Sequence, residues 1–258
     1  MRKPVSAAAP VRDRVTARGA DASGDAPARE TGSVITGPAE DYLKAIYELE
    51  LAGGAASTND IAQRLSFAPA SVTGMIRRLA EHGLLAYERY RGVTLTKAGR
   101  RAALRTLRRH RIIESYLVET LGYRWDNVHD EAERLEHAAS EALIDRMAAA
   151  IGEPVVDPHG APIPTREGTV DETQYCSLAD LGPGHRVAVV RVSDDDPEVL
   201  RYLAELGIMP GVTVAVLACE PFDGPITLSI GEERLSIGAP LAAQVMVDMI
   251  GDTQAPSH

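Results

Sequence analysis

The apolar residues of the first half of the chain fall into three groups, each with the three- and four-residue spacing of a helix. In order, the groups are Leu43, Ile46 and Tyr47; Ile61, Ala62 and Leu65; and Val72, Ile76 and Leu79. Pro38 suits the first turn of the first helix, and Ser57 or Thr58 can cap the second. The pattern therefore predicts three short helices, with a tight turn before the third.

Residues 84–95 instead alternate apolar and polar side chains, which is the two-residue period of a β-strand. Arg91 and Gly92 suit the turn of a short hairpin in this segment. Three helices followed by a two-strand wing are the order of a winged helix-turn-helix, which we expect over residues 37–108. A three-helix bundle with a purely structural role is the alternative, and the wing argues against it.

Two longer helical patterns follow the hairpin. One runs from Thr96 to Leu121, and a second is expected to run without a break from Asp126 to Ile151. We assign residues 109–152 to a helical domain. Residues 153–174 hold four prolines and several turn-forming residues, so this segment is expected to be a linker.

The last third of the chain alternates short β patterns with turns, interrupted by one helical segment. We expect residues 175–250 to form a small SH3-like β-barrel, which makes the whole chain an α+β protein. Residues 1–36 are rich in Ala, Arg, Gly, Asp and Pro without an apolar period. They are expected to be a disordered tail, and residues 251–258 a second tail.

The net charge of −10 is unevenly distributed. Residues 38–111 carry 13 basic and 7 acidic side chains, whereas residues 112–258 carry 8 basic and 26 acidic ones. A basic block in an acidic chain suggests one domain that meets phosphate and another that handles cations. Solvated helix faces would give the same counts, so charge alone leaves both interpretations open.

Targeting and redox signals are sparse. No apolar run reaches the roughly 20 residues of a membrane helix, and the first residues lack the apolar core of a signal peptide. The two cysteines, Cys176 and Cys219, have no metal-binding or redox spacing. We therefore expect a reduced cytoplasmic protein without disulfides and without a membrane partner.

One stretch of the second long helix concentrates metal-ligating side chains. His129, Glu133, Glu136 and His137 share a helix face because they lie at i, i+4, i+7 and i+8. A divalent cation would relieve the repulsion among such groups. His110 and Glu114 form another i, i+4 pair on the preceding helix. Each residue alone could also be ordinary helix surface.

The third helix of the winged domain would be the recognition helix. Its outward positions include Ser71 and Thr73, which could touch base edges or a thymine methyl group. Arg77 and Arg78 are placed to meet phosphates. Ordinary helix surface is the alternative for all four residues.

Several motifs resemble the diphtheria toxin repressor family, in that family's order. Residues 41–49 (DYLKAIYEL) resemble its opening helix, and residues 128–137 (VHDEAERLEH) its metal-binding helix. Residues 87–92 resemble the wing of its manganese-responsive members, and residues 157–164 the linker of its longer members. Residues 206–211 resemble its C-terminal domain, which ferrous-transport accessory proteins share. The resemblance covers about residues 38–250.

The resemblance implies a homodimeric repressor that binds double-stranded operator DNA when metal is bound. It implies a primary metal site made by Asp41, Glu133, Glu136 and His137. It implies an ancillary site made by His110, Glu114, His129 and an acid of the C-terminal domain, for which Asp196 is the candidate and Glu198 the substitute. Carboxylates stand where iron-responsive members carry Met and Cys, which favours Mn²⁺, with Fe²⁺ and other divalent metals as alternatives.

Lys44 stands where short manganese sensors of the family carry a Glu that supports a bridged metal pair. We therefore expect two separate metal sites, with Lys44 on the helix surface between Glu40 and Glu48. The rival functions are an iron-responsive regulator, a zinc-dependent hydrolase and an accessory protein that does not bind DNA. A hydrolase would need an open metal position and a substrate pocket. The sequence indicates no such features, so we expect that the protein is not an enzyme and has no small-molecule substrate.

Overall fold

A computed structural model describes residues 36–88, 92–193 and 196–250. The tails expected before residue 36 and after residue 250 lie outside the described residues, and so does Arg91 in the hairpin turn. None of the helices in the described ranges is long and apolar enough to span a membrane.

Three helices and a hairpin open the described chain. They are α1 (Gly37–Gly53), α2 (Thr58–Arg64), α3 (Pro69–Glu81), β1 (Leu85–Glu88) and β2 (Gly92–Leu95). Ser57 caps α2 because its hydroxyl accepts from the Asp60 amide while the Asp60 carboxylate accepts from the Ser57 amide. The strands pair antiparallel, with Leu85 opposite Leu95. The expected winged helix-turn-helix is confirmed.

The core of this domain contains the apolar residues that the helical spacing singled out. Leu43, Ile46, Ile61 and Val72 are fully buried together with Val93 of the wing. Burial of side chains of this size contributes about 1.5–3 kcal/mol each. The three helices and the wing therefore hold α3 in a fixed orientation, with its polar side facing outward.

A long helix, α4 (Lys97–Leu121), follows the wing. It begins at the Thr96 cap, whose hydroxyl accepts from the Gly99 amide, and it ends at Gly122, whose φ of 73° suits glycine. Its middle turns are buried against α1 on one side and against the following helices on the other.

The prediction of a single helix from Asp126 to Ile151 is wrong. The structure has two helices, α5 (His129–Glu136) and α6 (Glu141–Ala150). Ser140 has extended backbone angles, and its hydroxyl accepts from the Leu143 amide, so it starts a new helix. The break lies directly after His137 and therefore at the end of the proposed metal-binding face.

The segment that composition marks as a linker is packed against α4. Arg108 and Arg111 donate to the carbonyl oxygens of Pro164 and Pro162, at 2.9 and 2.5 Å. Asp157 and His159 are buried, with 5% and 0% of their surface exposed. These residues therefore form part of the helical region's interior.

The C-terminal region is one antiparallel sheet with two short α-helices among its described residues. Its strands are β3 (Cys176–Ser177), β4 (Arg186–Val192), β5 (Thr213–Cys219), β6 (Ile226–Ile230), β7 (Glu233–Ile237) and β8 (Val245–Met249). The helices are α7 (Pro197–Glu205) and α8 (Ala239–Ala242). The strand order is β3-β8-β4-β5-β6-β7, with β3 and β7 at the two edges, so the closed barrel that we expected is not shown.

Candidate metal centre

The first cluster joins the DNA-binding domain to the helical region. Asp41 lies on α1, Glu136 is the last residue of α5, and His137 follows it. One ligand atom from each residue lies within 4.8 Å of the other two. His137 Nε2 is 2.8 Å from Asp41 Oδ1 and 3.5 Å from Glu136 Oε1. We call Asp41, Glu136 and His137 the primary cluster.

Glu40 orients the histidine of the primary cluster, a role that its sequence position did not reveal. His137 Nδ1 is 2.7 Å from Glu40 Oε2, and Arg109 donates to the other Glu40 oxygen at 2.5 Å. A proton held on Nδ1 by a carboxylate leaves Nε2, on the Asp41 side, as the metal-ligating nitrogen. Arg109 and Glu40 thus fix the ring that a metal would use.

Lys44 is not on the helix surface, where the sequence analysis placed it. It is 8% exposed, and its ammonium donates to both oxygens of Glu136, at 3.0 and 3.3 Å. The same ammonium lies 3.5 Å from Glu133 Oε1. The inward direction of Lys44 follows from its position one helical turn after Asp41, on the side of α1 that faces α5.

The second cluster lies deeper, between α4 and α5. His110 Nε2 is 3.0 Å from Glu114 Oε1 and 3.1 Å from His129 Nδ1, and the two latter atoms are 3.3 Å apart. The side chains of Glu114 and His110 are 0% and 4% exposed. The structure therefore brings together the two histidines and one acid that the sequence analysis grouped as ancillary. We call these three residues the second cluster.

Glu136 connects the two clusters. Its Oε1 faces Lys44 and the primary cluster, while its Oε2 lies 2.6 Å from His110 Nδ1. His110 then presents Nε2 to the second cluster. A change in the charge or position of this one buried carboxylate is therefore felt at both clusters.

Two further candidate ligands, Asp157 and His159, were missed by the sequence analysis. They form a third group with Glu114, whose Oε2 lies 3.9 Å from His159 Nδ1. Both of these atoms are buried without a hydrogen-bond partner. A cation between them would satisfy both, so the observed residues fit a bound metal. The sequence did carry a signal for this group, because an acid and a histidine lie two positions apart at Asp157 and His159.

In the described part of the chain, two expected ligands belong to neither the two clusters nor the third group. Glu133 contacts His129, with 3.4 Å between Oε1 and Nε2, and it also contacts Lys44. Asp196 caps α7, where its Oδ1 accepts from the Glu198 amide at 2.8 Å, and it is exposed. Asp and Ser at such positions before a helical proline are common caps, which explains the location of Asp196.

The pKa values of the clustered groups reflect these contacts. Hydrogen bonding from His129 lowers the pKa of Glu133 to about 2. Burial alone would raise the pKa of Glu136, but the hydrogen bond from His110 and the charge of Lys44 lower it. Burial would lower the pKa of His137, but contacts with Glu40, Asp41 and Glu136 raise it. Glu133 and Glu136 are therefore held in the ionised form that a metal ligand requires. Burial instead raises the pKa of Asp41, against the opposing effect of His137.

The surface of α3 carries the residues expected to contact DNA. Ser71, Thr73, Arg77 and Arg78 are all exposed. Thr73 donates its hydroxyl to the Pro69 carbonyl at 3.0 Å. Two arginines and two hydroxyl residues on one exposed helix suit phosphate contact and limited base readout.

Three family models match consecutive parts of the chain. Residues 35–93 match the iron dependent repressor N-terminal DNA binding domain, residues 96–165 its metal binding and dimerisation domain, and residues 176–249 the FeoA domain. A winged DNA-binding domain followed by a metal-binding domain defines the class of metal-dependent transcription regulators. The chain belongs to the iron-dependent repressor family and is a metal-dependent transcriptional repressor.

Individual relatives include iron- and manganese-dependent proteins. The chain is 31% identical over 223 residues to the iron-dependent repressor IdeR of Mycobacterium tuberculosis, which covers 82% of this chain and 96% of IdeR. It is 39% identical over 109 residues to the HTH-type transcriptional regulator MntR of Lysinibacillus sphaericus, covering 42% and 78%. A solved manganese-dependent transcriptional repressor complex with manganese has a TM-score of 0.76 and 42% identity, covering 82% of this chain and all of that one.

Proposed function

We propose that this repressor responds to Mn²⁺ and binds operator DNA as a cytoplasmic homodimer that controls metal-uptake genes. The observation that carries the proposal is the primary cluster, which joins α1 to the end of α5 through two carboxylates and an imidazole. Oxygen-rich ligand sets suit Mn²⁺, whereas sulfur ligands favour other first-row metals. An iron-responsive repressor is the second candidate, because the relative IdeR is named for iron.

The proposed ligands divide between two sites. Asp41, Glu136 and His137 would hold the first ion, with Glu133 joining them by turning away from His129. His110, Glu114 and His129 would hold the second, and Asp157 and His159, which group with Glu114, would complete it. We retain Asp196 only as a residue that could approach after a movement of α7, because it caps that helix in the structure.

The metal would act by linking domains. A bound divalent ion supplies positive charge that cancels the repulsion between Asp41 and Glu136. Because Asp41 belongs to the DNA-binding domain, its attachment to α5 fixes α1 relative to the helical region. In a dimer this would set the separation of the two α3 helices, which must be about 34–36 Å to enter successive major grooves. Metal therefore raises the population of the DNA-binding state.

The homodimer would use the apolar surface left open on α5 and α6. Leu135, Ala138, Ala142 and Leu143 are exposed there, whereas Ile144 is buried in the chain's own core. Four exposed apolar side chains beside the break between α5 and α6 favour a partner of the same kind.

The decisive experiment measures DNA binding against metal. Genomic fragments retained by the Mn²⁺-loaded protein would be sequenced, and one of them used in a fluorescence-anisotropy titration. We expect binding with Mn²⁺ and its loss after chelation, with weaker activation by Fe²⁺ under anaerobic conditions. Equal binding with and without chelator would contradict the metal requirement, and stronger activation by Fe²⁺ would favour the second candidate.

A further inference from the structure

Lys44 introduces a permanent positive charge among the proposed metal ligands. Its ammonium bonds to both oxygens of Glu136 and lies 3.5 Å from Glu133. It therefore pairs, in the metal-free protein, with two of the four residues proposed for the primary site. No sequence motif required this, because the lysine and Glu136 are 92 positions apart.

We propose that Lys44 is an internal counter-ion that competes with the metal for Glu133 and Glu136 and thereby sets the metal concentration at which the primary site fills. The inference rests on the proposed function and deepens it. The ammonium and a divalent ion need the same carboxylate oxygens, and their charges repel each other across a buried space where solvent screens poorly. Metal binding must therefore displace the lysine from at least one oxygen.

The surroundings of Lys44 support exchange rather than permanent structure. Asp41, Lys44, Glu133 and His137 all line one cleft. The side chain of Glu133 is 51% exposed, whereas that of Glu136 is fully buried. The Lys44 ammonium can therefore move past Glu133 into the cleft, while the buried Glu136 carboxylate stays in place. Glu48, one turn further along α1, also attracts the lysine.

The counter-ion has two opposite consequences. In the metal-free protein it stabilises the fold, since without Lys44 the buried Glu136 would keep only its contact with His110. In the metal-bound protein the same charge opposes the ion, so it lowers metal affinity. A merely structural ion pair would give the first effect without the second, and this difference makes the role testable.

The test compares Lys44→Met with Lys97→Met. Methionine keeps the side-chain length and removes the charge, and Lys97 is an exposed lysine at the start of α4 that gives the same change in net charge. Mn²⁺ affinity would be measured by calorimetric titration of the purified chain, and the melting temperature of the metal-free protein in chelator. We expect Lys44→Met to bind its tightest Mn²⁺ at least tenfold more strongly, which corresponds to about 1.4 kcal/mol.

The same variant should melt about 5 °C lower, or more, without metal. Lys97→Met should match wild type in both measurements, and Lys44→Arg, which keeps the charge, should not gain affinity. If Lys44→Met does not fold, Lys44→Gln repeats the test with an amide that can still donate to Glu136. Unchanged or weaker Mn²⁺ binding by a folded neutral variant would overturn the role of Lys44. Absence of Mn²⁺ binding by wild type would instead overturn the proposed function, and this inference with it.

Discussion

The two clusters contain similar residue types, yet they differ in what they connect. In the primary cluster, the side chains of Asp41 and His137 are 35% and 28% exposed, and they come from separate domains. In the second cluster, Glu114 and His110 lie on α4 and are 0% and 4% exposed, and His129 lies on α5 and is 35% exposed, so all three belong to the helical region. The primary cluster can therefore be assembled or separated by a movement of α1, whereas the second is built into the helical region.

This difference suggests a division of labour. A preassembled buried site loses little conformational freedom on binding and mainly stabilises the domain that contains it. A site divided between domains binds metal only when the domains adopt one arrangement, so its occupancy selects that arrangement. We expect the primary cluster to control DNA binding and the second cluster to stabilise the helical region. Because Glu136 contacts both clusters, a change at this residue should affect both functions.

Replacement of the shared carboxylate should have the largest effect. Glu136→Gln keeps the shape of the side chain but removes the charge that faces Lys44 and His110, so both clusters should lose Mn²⁺ affinity. We expect at least 100-fold weaker metal-dependent DNA binding, because a ligand is lost as well as its supporting contacts. Fluorescence anisotropy at fixed Mn²⁺ would measure it. Glu131→Gln, on the same helix and paired with Arg134, is the control that should bind like wild type.

The matched substitution in the second cluster should separate the two sites. Glu114 is as buried as Glu136 and also contacts His110, but within the described part of the chain its ion-pair partners are His110, His129 and His159, all in the second and third groups. Glu114→Gln should weaken the second Mn²⁺ about 10–100-fold while leaving the first within a few-fold of wild type. Calorimetric titration would resolve the two steps. An equal loss at both sites would show that the clusters act as one.

The orienting carboxylate of the primary cluster should have the next largest effect. Glu40→Gln removes the charged acceptor of His137 Nδ1 while all proposed ligands remain. We expect about tenfold weaker binding at the primary site, the lower end for loss of an outer partner, with the second site unchanged. Glu50→Gln is a poor control because Glu50 accepts from the Leu95 amide, so Glu131→Gln serves again. Full retention of affinity would mean that the ring keeps its orientation without Glu40, through its contact with Asp41.

These assignments show what could be predicted from the sequence. Helical spacing placed Leu43, Ile46 and Val72 in the core correctly, because each helix buries one face against a common centre. Spacing along α4 also grouped His110 with Glu114. Whether these residues bind metal stays a prediction, but their proximity did follow from local geometry.

The remaining features depend on tertiary packing. The ion pair of Lys44 with Glu136 and the contact of His159 with Glu114 join distant segments, for which local periodicity carries no information. The end of α5 was missed because the Ser140 cap interrupts an otherwise continuous helical pattern. Asp196 was placed by resemblance, whereas its position before Pro197 is the local signature of a helix cap.

Acidity should affect metal-free and metal-bound protein in opposite directions. Burial would lower the pKa of His110, but Glu114 raises it, and the pKa of His137 is also raised. A raised folded-state pKa stabilises the metal-free fold below the ordinary value of 6.5, and this contribution is lost as pH rises through the raised pKa. Metal needs neutral imidazole, so Mn²⁺ affinity should rise over the same interval.

Melting curves with chelator and with saturating Mn²⁺ would check this between about pH 6 and pH 9. The metal-free melting temperature should fall with pH while the increase caused by Mn²⁺ grows. If both curves moved in parallel, the histidines would not be exchanging protons for metal.

The smallest effect is expected from a glycine that contacts the primary cluster. A Cβ at Gly37 would lie 3.1 Å from Cγ and 3.3 Å from Cδ2 of His137, tight enough that the ring must shift by a few tenths of an ångström. Gly37→Ala should therefore weaken only the primary site, by several-fold, because metal ligands tolerate little displacement. Gly53→Ala is the matched control, since a Cβ at the other end of α1 meets nothing within 4 Å. Mn²⁺ titration of both variants would measure this effect. Equal affinities would mean that the His137 ring can move without leaving its ligating position.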